Sequence, residues 1–113
     1  MRGQDMSANV QKAVAFFTSA GLSRLLIELR EKYIEVGHVG GQIVMEDSTP
    51  GERRDIASFL GKTSYPDATF KVRLADVEKA LKHSFDCSLP DLLSASFPDQ
   101  PLVTRSERRE AHA

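Results

Sequence analysis

Gly40-Gly-Gln-Ile-Val-Met-Glu-Asp-Ser-Thr49-Pro50-Gly-Glu52-Arg-Arg-Asp-Ile-Ala-Ser-Phe-Leu60-Gly61, then a polar loop, then Ala68-Thr-Phe-Lys-Val-Arg-Leu74, is the stretch that decides the fold. It spells a short strand, a capped helix and a second short strand. In the first strand, Gln42–Glu46, Ile43 and Met45 point to one face and Gln42, Val44 and Glu46 to the other. Thr49 is placed to accept from the orphan N–H groups of the helix start, and Glu52 to reach back to the Thr49 amide. That pair is a capping box, with Pro50 at the first helical position, where its missing N–H costs nothing. The helix buries Ile56, Ala57, Phe59 and Leu60, and Gly61 suits the left-handed residue that ends it. Phe70, Val72 and Leu74 then alternate inward against Thr69, Lys71 and Arg73 outward.

Upstream, residues 1–7 are polar and form a disordered start. From Ser7 the pattern turns helical, with Val10, Ala13, Val14 and Phe17 at i, i+3, i+4, i+7. Ala20-Gly21 interrupts it. A second stripe, Leu22, Leu25, Leu26, Leu29, Tyr33 and Val36, predicts a helix ending at Gly37. Ile27 and Ile34 add a second apolar line on that helix, seven residues apart. Such a line marks a helix covered on two sides or one that awaits a partner.

Downstream of Leu74, the positions of Val77, Ala80, Leu81 and Phe85 predict a helix from about Ala75. Asp76 and Glu78 sit in its early turns and Lys79, Lys82 and His83 later, the order the helix dipole favours. Ser88-Leu89-Pro90-Asp91 opens a short helix carrying Leu89, Leu92 and Leu93. Phe97–Pro101 is a turn. Thr104-Arg-Ser-Glu107 is a further capping box. It announces a helix that is too short and polar to stand alone, so either the tail frays or the chain is the front of something longer. The expected architecture is α+β: two N-terminal helices, a β-α-β unit with a two-stranded sheet, and two or three C-terminal helices. Residues 8–97 form the single domain, and residues 98–113 a linker and the start of a further helix.

The chain of 113 residues is long enough for one small core. Its 41% hydrophobic and 27% charged residues are ordinary globular composition. A net charge of −1 supplies no global basic field, so any nucleic-acid contact is a local patch. The single cysteine, Cys87, excludes an internal disulfide and a cysteine-rich metal site. No apolar run approaches the ~20 residues that span a bilayer. The expected setting is cytoplasmic, with no membrane partner.

Little here points to catalysis. His38, His83 and His112 fall in a turn, a helix and a tail, and no serine or cysteine has an evident base and orienter. Glu46-Asp47 is a carboxylate pair at a strand end but lacks a third metal ligand; a turn into the helix explains it better. Cys87 lies between Asp86 and Ser88 near a helix start, where a thiolate would be favoured, although a plain small residue is the simpler reading. Gly37–Gly41 closes a helix and does not open one, which argues against a phosphate-binding loop. Binding fits better. Lys71 and Arg73 share the outer face of a strand, Lys79 and Lys82 follow on the next helix, and Lys62 and the Arg53-Arg54 pair lie near in sequence. These are the candidate DNA contacts. Asp55, Asp67, Asp76 and Glu78 are interleaved among them, with no aromatic residue to stack on bases, so a solvated, mixed-charge surface is the simpler reading of the same residues. Ile27 and Ile34 are the candidate partner-binding residues.

Gly40–Lys62, followed by Phe70-Lys-Val-Arg-Leu-Ala-Asp-Val-Glu-Lys-Ala-Leu81, resembles the N-terminal domain of a bacterial Toprim-like family. The members look like the JetD subunits of Wadjet-type plasmid-defence systems, encoded beside a condensin-like ATPase. The likeness runs over roughly residues 20–110 and rests on packing and capping residues. It implies that the chemistry belongs to a C-terminal Toprim domain whose Glu and Asp-x-Asp carboxylates hold a divalent metal for DNA cleavage. This sequence contains no Asp-x-Asp. No catalytic residue, metal ligand or cofactor is therefore carried over. The resemblance implies a non-catalytic accessory domain, truncated before the Toprim domain. Its expected roles are docking to the condensin-like ATPase complex, homodimerisation or DNA positioning. The alternatives are a free-standing DNA-binding or protein-interaction module related to winged helices and, less favoured, a divalent-metal enzyme using Glu46 and Asp47.

Overall fold

The computed structural model describes residues 2–19 and 21–103, with side chains from residue 8 onward. Seven elements follow in order: α1 (Arg2–Ser19), α2 (Ser23–Val36), β1 (Gln42–Met45), α3 (Pro50–Phe59), β2 (Phe70–Arg73), α4 (Leu74–Phe85) and α5 (Leu89–Ser96). The architecture is α+β. The helix α1 begins at Arg2, where the sequence reading has a disordered start as far as Ser7. The polar residues 2–7 carry no stripe that would announce a helix, but extending an existing helix costs far less than nucleating one. The box at Thr104–Glu107 lies outside the described residues.

The two strands pair antiparallel, in the register Gln42↔Arg73, Ile43↔Val72, Val44↔Lys71 and Met45↔Phe70. The β-α-β order is thus a return path and not the right-handed crossover of a parallel pair. Ile43, Met45, Phe70 and Val72 are buried on the inner face, while Gln42, Val44, Lys71 and Arg73 are exposed on the outer one. Leu74 keeps its inward direction but is already the first residue of α4.

Each turn has a local chemical cause. Thr49 Oγ1 accepts from the Glu52 N–H at 3.1 Å, and Glu52 Oε1 accepts from the Thr49 N–H at 3.0 Å, completing the capping box. At the other end of α3, the Lys62 N–H donates to Ala57 O at 2.8 Å and the Gly61 N–H to Ser58 O at 3.1 Å. Gly61 sits at φ 74, so this is a complete Schellman closure. Gly37 ends α2 at φ 87. Ser88 Oγ accepts from the Asp91 N–H at 3.2 Å and caps α5, whose first N–H, that of Leu89, donates to the Glu78 carboxylate on α4.

One core joins the inner face of the sheet to Phe17, Leu22, Leu25, Leu29, Ile56, Val77, Leu81, Leu89 and Leu92. Helix α1 packs against α2, α4 and α5. Its Phe16 and Phe17 meet Phe59 of α3 at centroid distances of 5.8 and 5.2 Å, and Phe16 meets Phe85 of α4 at 5.4 Å. This cluster fixes the C-terminal end of α3 against α4, and a cleft opens beside it.

Candidate nucleic-acid interface

The cleft has a volume of about 340 Å³ and lies between the end of α3 and the outer side of α4. Phe59, Leu60 and Ala80 supply its apolar lining, and Lys62, Arg73, Asp76, Lys79 and His83 its polar one. Each arrives by a local rule. The Schellman turn carries the chain round at Gly61 and presents Lys62. Arg73 is the last outward residue of β2. Asp76, Lys79 and His83 fall at i, i+3 and i+7 along one face of α4. Three permanent cations thus face one carboxylate.

That carboxylate is engaged by one of the three. Arg73 Nε and Nη2 each donate to Asp76 at 3.1 Å in a bidentate pair. Lys62 and Lys79 are exposed and form no ion pair among the described residues. Their charges are therefore available to an anion, as separate point charges suited to phosphate oxygens. Lys71 is also exposed, on the outer face of the sheet, but it does not line the cleft.

The other candidates are not brought together with these. Lys82 Nζ stands 3.7 Å from Glu78, outside the cleft. Arg53 Nη1 donates to Ser48 O at 2.7 Å, tying down the start of α3. Arg54 is exposed beside Asp55 at 3.5 Å. The α3 pair belongs to the helix start, whereas the cleft belongs to the helix end. His83 was missed as a lining residue, although its spacing from Asp76 and Lys79 on α4 carried the signal.

Phe59 is the aromatic residue among the cleft lining, and Tyr65 lies in the loop that follows α3. Tyr65 stacks on Phe70 with centroids 3.9 Å apart and planes at 13°. Burial, and then the nearby Asp76 carboxylate, push the Tyr65 hydroxyl above its ordinary value. The loop between α3 and β2 is thereby folded over the start of the second strand.

The remaining sequence candidates have structural settings. Cys87 is buried, and its thiol is pushed up to about 11 by burial, with Asp91, Glu78 and Asp86 adding to the effect. Cys87 therefore sits as a small buried core residue, in a setting that does not favour a thiolate. The main-chain carbonyl of Glu46 accepts from Arg24 Nη2 at 2.9 Å, and Asp47 turns the chain at φ 52. Among the described residues, no three His, Cys, Asp or Glu side chains are grouped to hold a metal ion. His38 Nδ1 accepts from the Gly40 N–H at 2.9 Å within its turn. No helix among the described residues is long and apolar enough to cross a membrane. Of the candidate partner contacts, Ile27 is 51% exposed and Ile34 is half-buried.

Residues 39–113 match the family described as "Protein of unknown function N-terminus (DUF3323)". The chain belongs to that family. No curated protein and no solved structure matches it. The DUF3323 match begins at Val39, so it takes in β1, α3, β2, α4, α5 and every residue of the cleft. Helices α1 and α2 precede the DUF3323 segment and supply much of the core beneath it.

Proposed function

We propose that this chain is a non-catalytic N-terminal accessory domain of a DNA-cleaving, Toprim-type subunit. The subunit would be of the JetD kind found in Wadjet-type plasmid defence, acting in the cytoplasm beside a condensin-like ATPase complex. The domain's role in this reading is to position DNA for a cleavage site carried elsewhere. The observation that carries it is the cleft in which Lys62, Arg73 and Lys79 gather against a single carboxylate. The family's description as an N-terminus and the resemblance over Gly40–Leu81 support it further. Fluorescence anisotropy with a labelled duplex tests it. Two or three phosphate contacts give a plot of log affinity against log salt with a slope of about −2 to −3. The pair Lys62→Glu and Lys79→Glu abolishes binding, whereas Arg54→Glu leaves it nearly unchanged. Binding absent at low salt, or indifferent to the cleft pair, overturns the reading.

A second reading, docking to a partner protein, is favoured by two exposed apolar side chains, Ile27 on α2 and Val44 on β1. A homodimer or the ATPase complex is the partner class it implies. Ile27→Glu leaves the monomer folded and removes the association in a pull-down with that complex.

A further inference from the structure

A second groove, of about 280 Å³, runs between α2 and β1. Arg24 holds the two together at one end by donating to Glu46 O at 2.9 Å. At the other end they touch so closely that a Cβ on Gly41 would stand 3.1 Å from Lys32 Cγ. Between these points the strand edge is open. Leu74 N–H donates to Gly41 O at 3.0 Å, which makes Gly41 and Leu74 a hydrogen-bonded pair. Alternation along the register then makes Ile43/Val72 and Met45/Phe70 the bonded pairs, so the N–H and C=O groups of Gln42 and Val44 point away from β2. Those main-chain groups have no partner among the described residues. The Val44 side chain beside them is 44% exposed.

The α2 wall of the groove carries Glu28, Glu31 and Glu35 against one cation, Lys32. Lys32 is held by Glu35 at 3.1 Å, and Glu31 is only loosely approached by Arg30 at 3.8 Å. Glu28 makes no ion pair among the described residues. An unpaired strand edge recruits an extended chain through its main chain, and the side chains beside it choose which chain. We infer that the β1 edge takes an extended, basic segment of a partner protein as a third strand, with lysine or arginine at alternate positions answering the α2 carboxylates. A second copy of this chain fits worse. Two β1 edges related by a two-fold axis would set the same three carboxylates against each other. The inference deepens the partner-docking reading and is independent of the DNA cleft.

Titration of the full chain, labelled with nitrogen-15, with an end-blocked hexapeptide of alternating lysine and valine tests it. The Gln42 and Val44 amides shift and exchange more slowly, and N-methylation of alternate peptide amides abolishes binding. Glu28→Gln with Glu31→Gln weakens binding about five- to tenfold. Because Glu28 is half-buried, Glu31→Gln alone serves as the variant that leaves the fold intact. Equal binding of a glutamate–valine peptide or of the N-methylated peptide overturns the proposal, as do shifts centred on Lys62 and Lys79. Concentration-dependent shifts at Gln42 and Val44 without peptide also overturn it, because they assign the edge to a second copy. Duplex binding in the same sample reports on the other cleft, so the two readings fail separately.

Discussion

Arg24 and Glu52 stand 28 residues apart in sequence and meet in a bidentate pair, Nε to Oε2 at 3.0 Å and Nη2 to Oε1 at 3.2 Å. The same Glu52 carboxylate accepts from the Thr49 N–H, so a local cap and a long-range tie share one side chain. Arg24 also donates to Ser48 Oγ at 3.2 Å and to Glu46 O, binding α2 to the junction of β1 and α3.

Glu52→Ala removes a cap and an ion pair together and costs about 1–2 kcal/mol. Arg24→Met removes only the tie and costs less, because the arginine is partly solvated. A double-mutant cycle by urea denaturation gives a coupling of about 0.5–1 kcal/mol. Strict additivity of the two substitutions contradicts the shared-carboxylate account.

The same pair sets an acid dependence. The hydrogen bond from Arg24, joined by those from Thr49, holds the Glu52 carboxyl below its ordinary value of 4.5, against the opposing effect of burial. On acidification the unfolded chain therefore takes up this proton first. The stability contributed by Glu52 is complete above 4.5 and drains as pH falls through the lowered folded value. Glu52→Gln flattens the stability profile in that acid window and leaves the slope near neutrality unchanged.

Cys87 behaves oppositely. Its thiol is raised from 9.0 to about 11, so the unfolded chain loses the proton first as pH rises. The associated stability is present below 9.0 and is lost toward 11, a decline that Cys87→Ala removes. At neutral pH the folded thiolate fraction lies well below that of the ordinary thiol. Ellman's reagent accordingly reacts slowly with native protein and rapidly in urea. Rapid labelling of the folded chain contradicts the buried, carboxylate-flanked setting.

Gly61 isolates a backbone effect. It sits at φ 74, and a Cβ there would meet nothing within 4 Å. Gly61→Ala therefore carries only the left-handed penalty, about 1 kcal/mol in chemical denaturation. Gly61→Asn recovers part of it. A cost well above this value means that the α3 closure also positions neighbouring packing.

Much of the local structure was legible because its causes are local. Thr49, Pro50, Glu52 and Gly61 lie within thirteen residues and specify α3 through bonds to their own backbone. The alternation of Ile43 and Met45, and of Phe70 and Val72, assigned the inner face of the sheet, since strand side chains must alternate. The start of α1 at Arg2 was not legible, because helix propagation needs no apolar stripe.

The surfaces were decided by tertiary structure. Lys62, Arg73, Lys79 and His83 belong to a turn, a strand and a helix, and only the packing of Phe16, Phe17, Phe59 and Phe85 brings those elements to one cleft. Arg24 reaches Glu52, Ser48 and Glu46 only because α2 lies along β1. The open edge at Gln42 and Val44 required knowing that the strands run antiparallel and which pairs are bonded. Apart from the start of α1, the sequence by itself determined to within a residue or two where helices and strands begin and end, and which faces they turn inward, because those choices are settled by neighbours within a few residues. Which charges meet across the molecule, and which backbone groups are left without a partner, depends on distances between elements that exist only once the core has closed.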